Sequence, residues 1–309
     1  MIKRRVLVGL GACGWMPFAS RGQAPTGNYI LGYLGQGSKA RMREPTHDLA
    51  VVLAHLKEQG FVEGRNLSVE ARFAEGRFED LSRLAHQLVQ TKPQVIVVQN
   101  GGQAEAVVRQ TKTVPVVALT AGLLEGLPSV KSLAKPGGNL TGMQMHSQGL
   151  IGKRLQLLYE AVPRLRRVVV LRAGRSAGGY ALYHEATDAA AAKLNIRVRY
   201  VRFSNLAELE QRFEEMPRQQ DQAVLVWNDP YLSLHRTKIA QRLLRLGLPA
   251  LYDVRSADSP NEFMVYAAKR ADVLREAVAY VDKILKGAKP ADLPIGQAKT
   301  IATIAAVAG

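Results

Sequence analysis

The amino-acid sequence predicts an α/β protein of two lobes, each built on a parallel β-sheet with helices on its faces. Three observations lead there. Short apolar runs alternate with longer segments whose apolar residues recur at helical spacing. The alternation restarts after Pro136, Gly137, Gly138 and Asn139, which divides the strands into two sets of roughly four or five. With 309 residues, 47% of them hydrophobic and 22% charged, the chain has ample material for two cores.

Residues 29–34 read as the first strand. Residues 48–59 read as a helix, with Leu49, Val52, Leu53 and Leu56 on one face, and Gly60 ends it. A strand at 67–73 is followed by a helix at 78–91 with Leu81, Leu84, Ala85, Leu88 and Val89 on one side. The run 94–98 is a buried strand, 102–110 begins a helix, and 115–119 is a strand. In the second set, 151–161 is a helix, 167–171 a strand, 180–194 an alanine-rich helix and 196–203 a strand. A helix at 206–216, a strand at 223–227, a helix at 232–246 and a strand at 249–252 follow. The last pair is a strand at 262–266 and a helix at 271–286, whose stripe is Val273, Leu274, Ala277, Val278, Val281, Ile284 and Leu285. Repeated βα alternation implies parallel strands, because the crossover between parallel neighbours needs a helix.

The first residues read as an export signal. Lys3, Arg4 and Arg5 precede an apolar stretch broken by glycine and by Pro17, too short for a confident membrane span. Two processing routes stay open: lipidation of Cys13 at the end of a lipoprotein-like box, or cleavage between Ser20 and Ala24. Arg4 and Arg5 also give a weak twin-arginine match. Gly9, Gly11 and Gly14 have dinucleotide-binding spacing, but Pro17 follows and no acidic residue occurs before Glu44, so that reading is set aside. Cys13 is the only cysteine, which excludes an internal disulfide, a thiolate nucleophile and a cysteine metal cluster in the mature chain.

The net charge of +16 falls to about +12 once Lys3, Arg4, Arg5 and Arg21 are removed. A basic balance suits nucleic acid, an anionic membrane or an acidic ligand. It equally suits a solvated surface, and the scatter of the basic residues favours that: the densest clusters, Arg164 to Arg167 and Arg242 to Arg245, lie beside a strand or on a helix.

No reaction centre stands out. The six histidines show no metal spacing, no phosphate loop or nucleophile elbow occurs, and Glu214 and Glu215 diverge on a helix. No cofactor or metal is expected. Ligand positions are expected instead at the carboxyl ends of the strands. In the first lobe these carry Gly35, Gln36 and Ser38, then Asn100, Gly101, Gly102 and Gln103 at a helix N-terminus suited to a carboxylate, then Thr120 and Ala121. In the second they carry Arg172 and Ser176, then Asn228 and Asp229, then Tyr252 and Arg255. Asp229 suits an ammonium and Arg255 a carboxylate, although Asp229 serves as well for a helix N-cap. Glycine and small polar residues are also ordinary loop chemistry.

Several blocks resemble one family. GFVEGRN at 60–66 with EARFAEG at 70–76, LAKPGGNLTG at 133–142, GKRLQLLYEAVP at 152–163 and YVDKILKGAKPADLP at 280–294 are similar to ABC transporter substrate-binding proteins of the TrpX-like family, in the same order. The likeness runs from about residue 29 to residue 297. It implies a type I periplasmic-binding fold: two Rossmann-like lobes joined by a three-segment hinge, with crossovers near 139–142, 258–266 and 289–297. The implied division is a leader at 1–24, a first lobe of 28–140 plus 262–288 and a second of 141–261 plus 289–309, with helix 271–286 on the first. The implied function is non-enzymatic capture of an amino acid or related small molecule in the inter-lobe cleft, for an ABC permease. The protein is expected to be monomeric and extracytoplasmic, to bind no nucleic acid, and to meet a membrane only through a lipid on Cys13. A ligand sensor acting through a separate membrane partner and an α/β enzyme are the competing readings. The strand-end loops 99–104, 120–126 and 172–178 depart from the family pattern, so ligand identity does not carry over, and the tail 298–309 lacks the family's usual final strand and helix.

Overall fold

In the computed structural model, strands and helices alternate from β1 (Tyr29–Gly35) to a last strand ending at Ala305. The structure describes residues 27–45, 47–146, 148–173, 180–227, 231–232, 235–253, 262–299 and 301–305. The leader, Ser176, Asn228, Asp229 and Arg255 lie outside these. After β1 come α1 (Asp48–Glu58), β2 (Leu67–Phe73), α2 (Leu81–Gln90), β3 (Val95–Val98), α3 (Gly101–Gln110), β4 (Val116–Ala121) and β5 (Leu140–Gln144). The second series is α4 (Gln148–Ala161), β6 (Arg167–Ala173), α5 (Tyr180–Leu194), β7 (Arg197–Phe203), α6 (Leu206–Arg218), β8 (Ala223–Val226), α7 (Arg236–Arg245), β9 (Ala250–Tyr252) and β10 (Met264–Ala268). The chain ends with α8 (Arg270–Leu285), β11 (Gly296–Gln297) and β12 (Ile301–Ala305).

The strands form two six-stranded sheets, ordered β11-β5-β4-β3-β1-β2 and β12-β10-β9-β8-β6-β7. Every neighbouring pair is parallel except β10 with β12. Alternation along each strand feeds two cores per sheet. Val95 and Val97 pack with α1 and α8 residues such as Val52, Leu56, Val278 and Val281. Ile96 and Val98 turn to Leu84, Leu88 and Val107 of α2 and α3. In the second sheet Val224 and Val226 meet Phe213, Ile239 and Leu243, while Ala223 and Leu225 meet Leu155 and Leu158. Strands covered on both faces carry continuous apolar runs for this reason, and each buried Val, Leu or Ile stabilises the fold by about 1.5–3 kcal/mol.

Local signals end the elements where expected. At the α1 terminus the Phe61 N–H donates to Leu56 O at 2.9 Å and the Gly60 N–H to Lys57 O at 3.1 Å. This is a Schellman motif, and it buries Phe61 against the core. Residues 78–80 form a 3₁₀ turn rather than the start of α2; of the helix expected over 232–246, α7 spans Arg236–Arg245, and residues 231–232 are also helical.

The expected lobe boundaries shift. Residues 140–144 do not stop at the division: β5 pairs with β4, Val116 opposite Leu140 and Ala121 opposite Gln144, and so belongs to the first sheet. The strand assigned with 262–288 to the first lobe lies in the second sheet, because β10 pairs with β9. The segment 289–309, assigned whole to the second lobe, splits: β11 pairs with β5 in the first sheet, and β12 pairs with β10 in the second. The final strand that the tail was expected to lack is therefore present as β12. Helix α8 packs on α1, β3, β4 and β5 of the first sheet, as the resemblance implied. The chain passes between the sheets after β5, between β10 and α8, and between β11 and β12, beyond each expected crossover.

Gly142 has φ +137°, and a Cβ there would lie 2.1 Å from Ala118 O on the neighbouring strand. Only glycine fits that approach. Gly142→Ala is expected to cost about 3 kcal/mol or more. Gly152→Ala in α4, where the new methyl would meet the Ala190 Cβ at an ordinary 3.6 Å, is expected to be neutral or stabilising. Urea unfolding of both variants checks the contrast.

Candidate functional site

The strand ends of the first sheet are tied into one polar network. Asn100 caps α3 by accepting the Gln103 N–H at 3.1 Å. Gln103 returns the bond, its Oε1 accepting the N–H groups of Asn100 (3.0 Å) and Gln99 (2.9 Å). Its amide also donates to Leu34 O at 3.0 Å. Fully buried and bonded at both ends, Gln103 locks α3 onto β1 and is not a free ligand hook. Asn100 faces the loop after β1, where its Nδ2 donates to Gln36 Oε1 at 2.9 Å. Gly35 is the last residue of β1, and Gly101 and Gly102 form the first turn of α3. Ser38 caps a short 3₁₀ turn, accepting the Ala40 N–H at 3.2 Å.

Three residues that sequence reading passed over complete the network. Gln99 Nε2 donates to Asp48 Oδ2 at 2.9 Å. Arg270 forms a salt bridge with Asp48 Oδ1 and donates to Thr120 Oγ1 at 2.9 Å. The end of β4, with Thr120 and Ala121, is thus joined to the start of α1 and the start of α8. Behind them Tyr33 is fully buried, with ring centroids 5.8 Å from His47 and 5.7 Å from Phe73. Burial and then the Asp48 carboxylate push its phenol pKa up. His47 caps α1 through Nδ1, accepting the Leu49 N–H at 3.2 Å; burial lowers its pKa.

In the second sheet Arg172, at the end of β6, lies 2.8 Å from His184 Nε2 through Nη1. His184 belongs to an aromatic group: Trp227 has ring centroids 5.2 Å from Tyr183, 5.3 Å from His184 and 5.8 Å from Tyr200. Tyr252, the last residue of β9, is packed into the core of the second sheet. It is 1% exposed in the core, with the Arg236 guanidinium 4.6 Å above its ring and the Arg236–Glu262 ion pair beside it.

Between the sheets lies a third group. Leu123, just after β4, packs into the core of the second sheet with Tyr183. A Cβ on Gly122 would come 2.7 Å from the Tyr183 hydroxyl. His146, on the first passage between sheets, is fully buried, with its ring 5.7 Å from Tyr183. Its Nε2 stands 3.8 Å from Asp253 Oδ2. That approach favours a charged ring, but burial outweighs it and the Arg154 guanidinium adds to it, so His146 is held neutral well below its usual range. Arg154 is itself buried and donates to Tyr266 O at 2.9 Å and Asp253 O at 3.4 Å. Asp48, Gln99, His146 and Arg270 carried no local signal beyond an acidic first turn for α1; their roles arise only from tertiary contact.

A histidine whose pKa falls on folding gives stability that is full above the unfolded value of 6.5 and is lost as pH drops toward the depressed one. His146→Leu removes that contribution. From about pH 7.5 to about pH 5, the variant is expected to lose less unfolding free energy than the wild type, since His47, His184 and His235 titrate in both. Urea titrations across that range measure the difference; equal losses would show that His146 is not responsible.

Comparison with known proteins fits this arrangement. The family "ABC transporter substrate binding protein" matches residues 47–306. A tyrosine-binding protein of Clostridioides difficile is 29% identical over 118 residues, 38% of this chain and 33% of the relative, so the chain spans about a third of that relative's length. A conserved domain protein from Vibrio cholerae superposes with TM-score 0.79 at 20% identity, covering 90% of this chain and 92% of that one. A domain from Streptococcus pneumonia in complex with L-Trp superposes with TM-score 0.76 at 20% identity, covering 89% and 91%. Most of the chain falls within one family match, and the chain belongs to the ABC transporter substrate binding protein family.

Proposed function

We propose that this chain is an extracytoplasmic receptor that takes up an amino acid or related small molecule between its two sheets and presents it to an ABC permease. The observation that carries the reading is the pairing of a polar, cross-braced strand-end surface on the first sheet with three chain passages to the second. Such passages let two rigid bodies swing, and a ligand held by both stabilises the closed form. The tyrosine-binding relative and the tryptophan complex support an amino acid as the ligand class.

In this reading Gln36, Asn100, Gly101, Gly102 and Thr120 face the ligand from the first sheet, with Gln103 as their brace. Arg172 faces it from the second. Binding involves no bond-breaking. The leader directs export, with Cys13 as the site of a lipid anchor if the lipoprotein box is used, and the receptor works as a monomer. Among the described residues no helix is long and apolar enough to cross a membrane.

A ligand that binds only the folded state raises apparent stability by about 2.7 kcal/mol at one hundred times its Kd. Thermal unfolding of the mature chain with each of the common amino acids, nucleosides and small organic acids is expected to show a concentration-dependent rise for at least one amino acid. Silence across the panel, with chemical turnover of any member, would replace the receptor reading with an enzymatic one.

A further inference from the structure

The salt bridge between Asp48 and Arg270 is oriented. Asp48 is 1% exposed and Arg270 is 42% exposed. Its negative end is buried among the strand ends, and its positive end lies open where β4 and α1 meet the first residue of α8. Asp48 is also held by the Gln99 amide at 2.9 Å, so the carboxylate is fixed and the guanidinium is fixed by it. Thr120 Oγ1 accepts a second Arg270 N–H at 2.9 Å. These bonds use two of the five N–H donors that a guanidinium carries. A purely structural partner for a buried carboxylate needs no such exposure. An arginine held rigidly by a carboxylate and a hydroxyl, with donors left over, is pre-organised to bind a planar anion.

The position strengthens the argument. Arg270 follows directly on the second passage between the sheets, and its guanidinium reaches the end of β4, the strand that continues through Gly122 and Leu123 to the contact with the second lobe. It therefore stands beside a passage between the sheets and close to the first sheet's contact with the second lobe.

We propose that Arg270 is a specificity-determining residue that recognises a carboxylate on the ligand, with Asp48 and Thr120 as its positioning residues. This rests on the receptor reading above and narrows its substrate class: the acid binds more tightly than the matching amide.

The test is calorimetric titration of the mature chain with L-tyrosine, L-tryptophan and L-leucine and with their three amides. The wild type is expected to bind at least one acid and to bind its amide at least about tenfold more weakly. Arg270→Gln is expected to weaken the acid by about 10- to 100-fold and leave the amide nearly unchanged; Arg270→Lys is expected to recover part of the loss. Because Arg270→Gln strands a buried carboxylate, Asp48→Asn/Arg270→Gln is titrated beside it, and the same loss of selectivity is expected in the double variant. An Arg270→Gln or double variant that keeps the wild-type preference for acid over amide would overturn the proposal while leaving the receptor reading intact. So would a wild type that binds acid and amide alike. A wild type that binds none of the six, while a ligand without a carboxylate raises its melting temperature, would also overturn the proposal and leave the receptor reading intact.

Discussion

All three passages between the sheets leave from strands that lie side by side at one edge. β5 and β11 are the last two strands of the first sheet, and β10 and β12 are the last two of the second. Gly296 is opposite Met143 and Gln297 opposite Gln144, and the Ala298 N–H donates to Gln144 O at 3.1 Å just before the third passage. A side chain at position 296 would collide with Met143, its Cβ 2.1 Å from the sulfur. The first and third passages are thus bonded together as they leave the first sheet, and β10 and β12 are bonded where the second and third join the second sheet. A hinge built in this way bends as one unit, which favours a single opening and closing motion over independent flexing of three linkers.

The rest of the cleft follows from that edge. Parallel strands end their carboxyl termini on one side, so the loops after β1, β3 and β4 converge, together with the N-termini of α1, α3 and α8. Their polar groups would be costly to bury without partners. The sequence places amides and hydroxyls there, and they satisfy one another: Gln36 with Asn100, Gln99 with Asp48, Arg270 with Thr120. The second sheet treats its interior differently, with a Tyr183, His184, Tyr200 and Trp227 group in place of an amide network.

Much of this was legible in the sequence because two periodicities are easy to separate. The run 94–98 is apolar throughout, as a strand covered on both faces must be, and Leu49, Val52 and Leu56 mark a helical face. The resemblance carried the two-lobe plan and the place of α8. The edge strands were not legible. β5 contains Gly142 and three residues with no strong strand preference, β11 is only two residues long, and whether β10 joins one sheet or the other is decided by pairing with β9, which no local pattern records. The site divides in the same way. Asn100 and Gln103 are three residues apart, and their reciprocal cap follows a known local rule, yet the rule did not reveal that Gln103 would be spent on it. Asp48 and Arg270 are 222 positions apart, and nothing in either neighbourhood announces the other.

The central claim is that two rigid sheets close about one edge hinge when a ligand enters. Small-angle X-ray scattering of the mature chain, alone and saturated with whichever amino acid raises its melting temperature, measures this directly. The account predicts a smaller radius of gyration in the saturated protein, with a scattering curve that fits two lobes rotated together. An unchanged radius in a protein that demonstrably holds its ligand would contradict it.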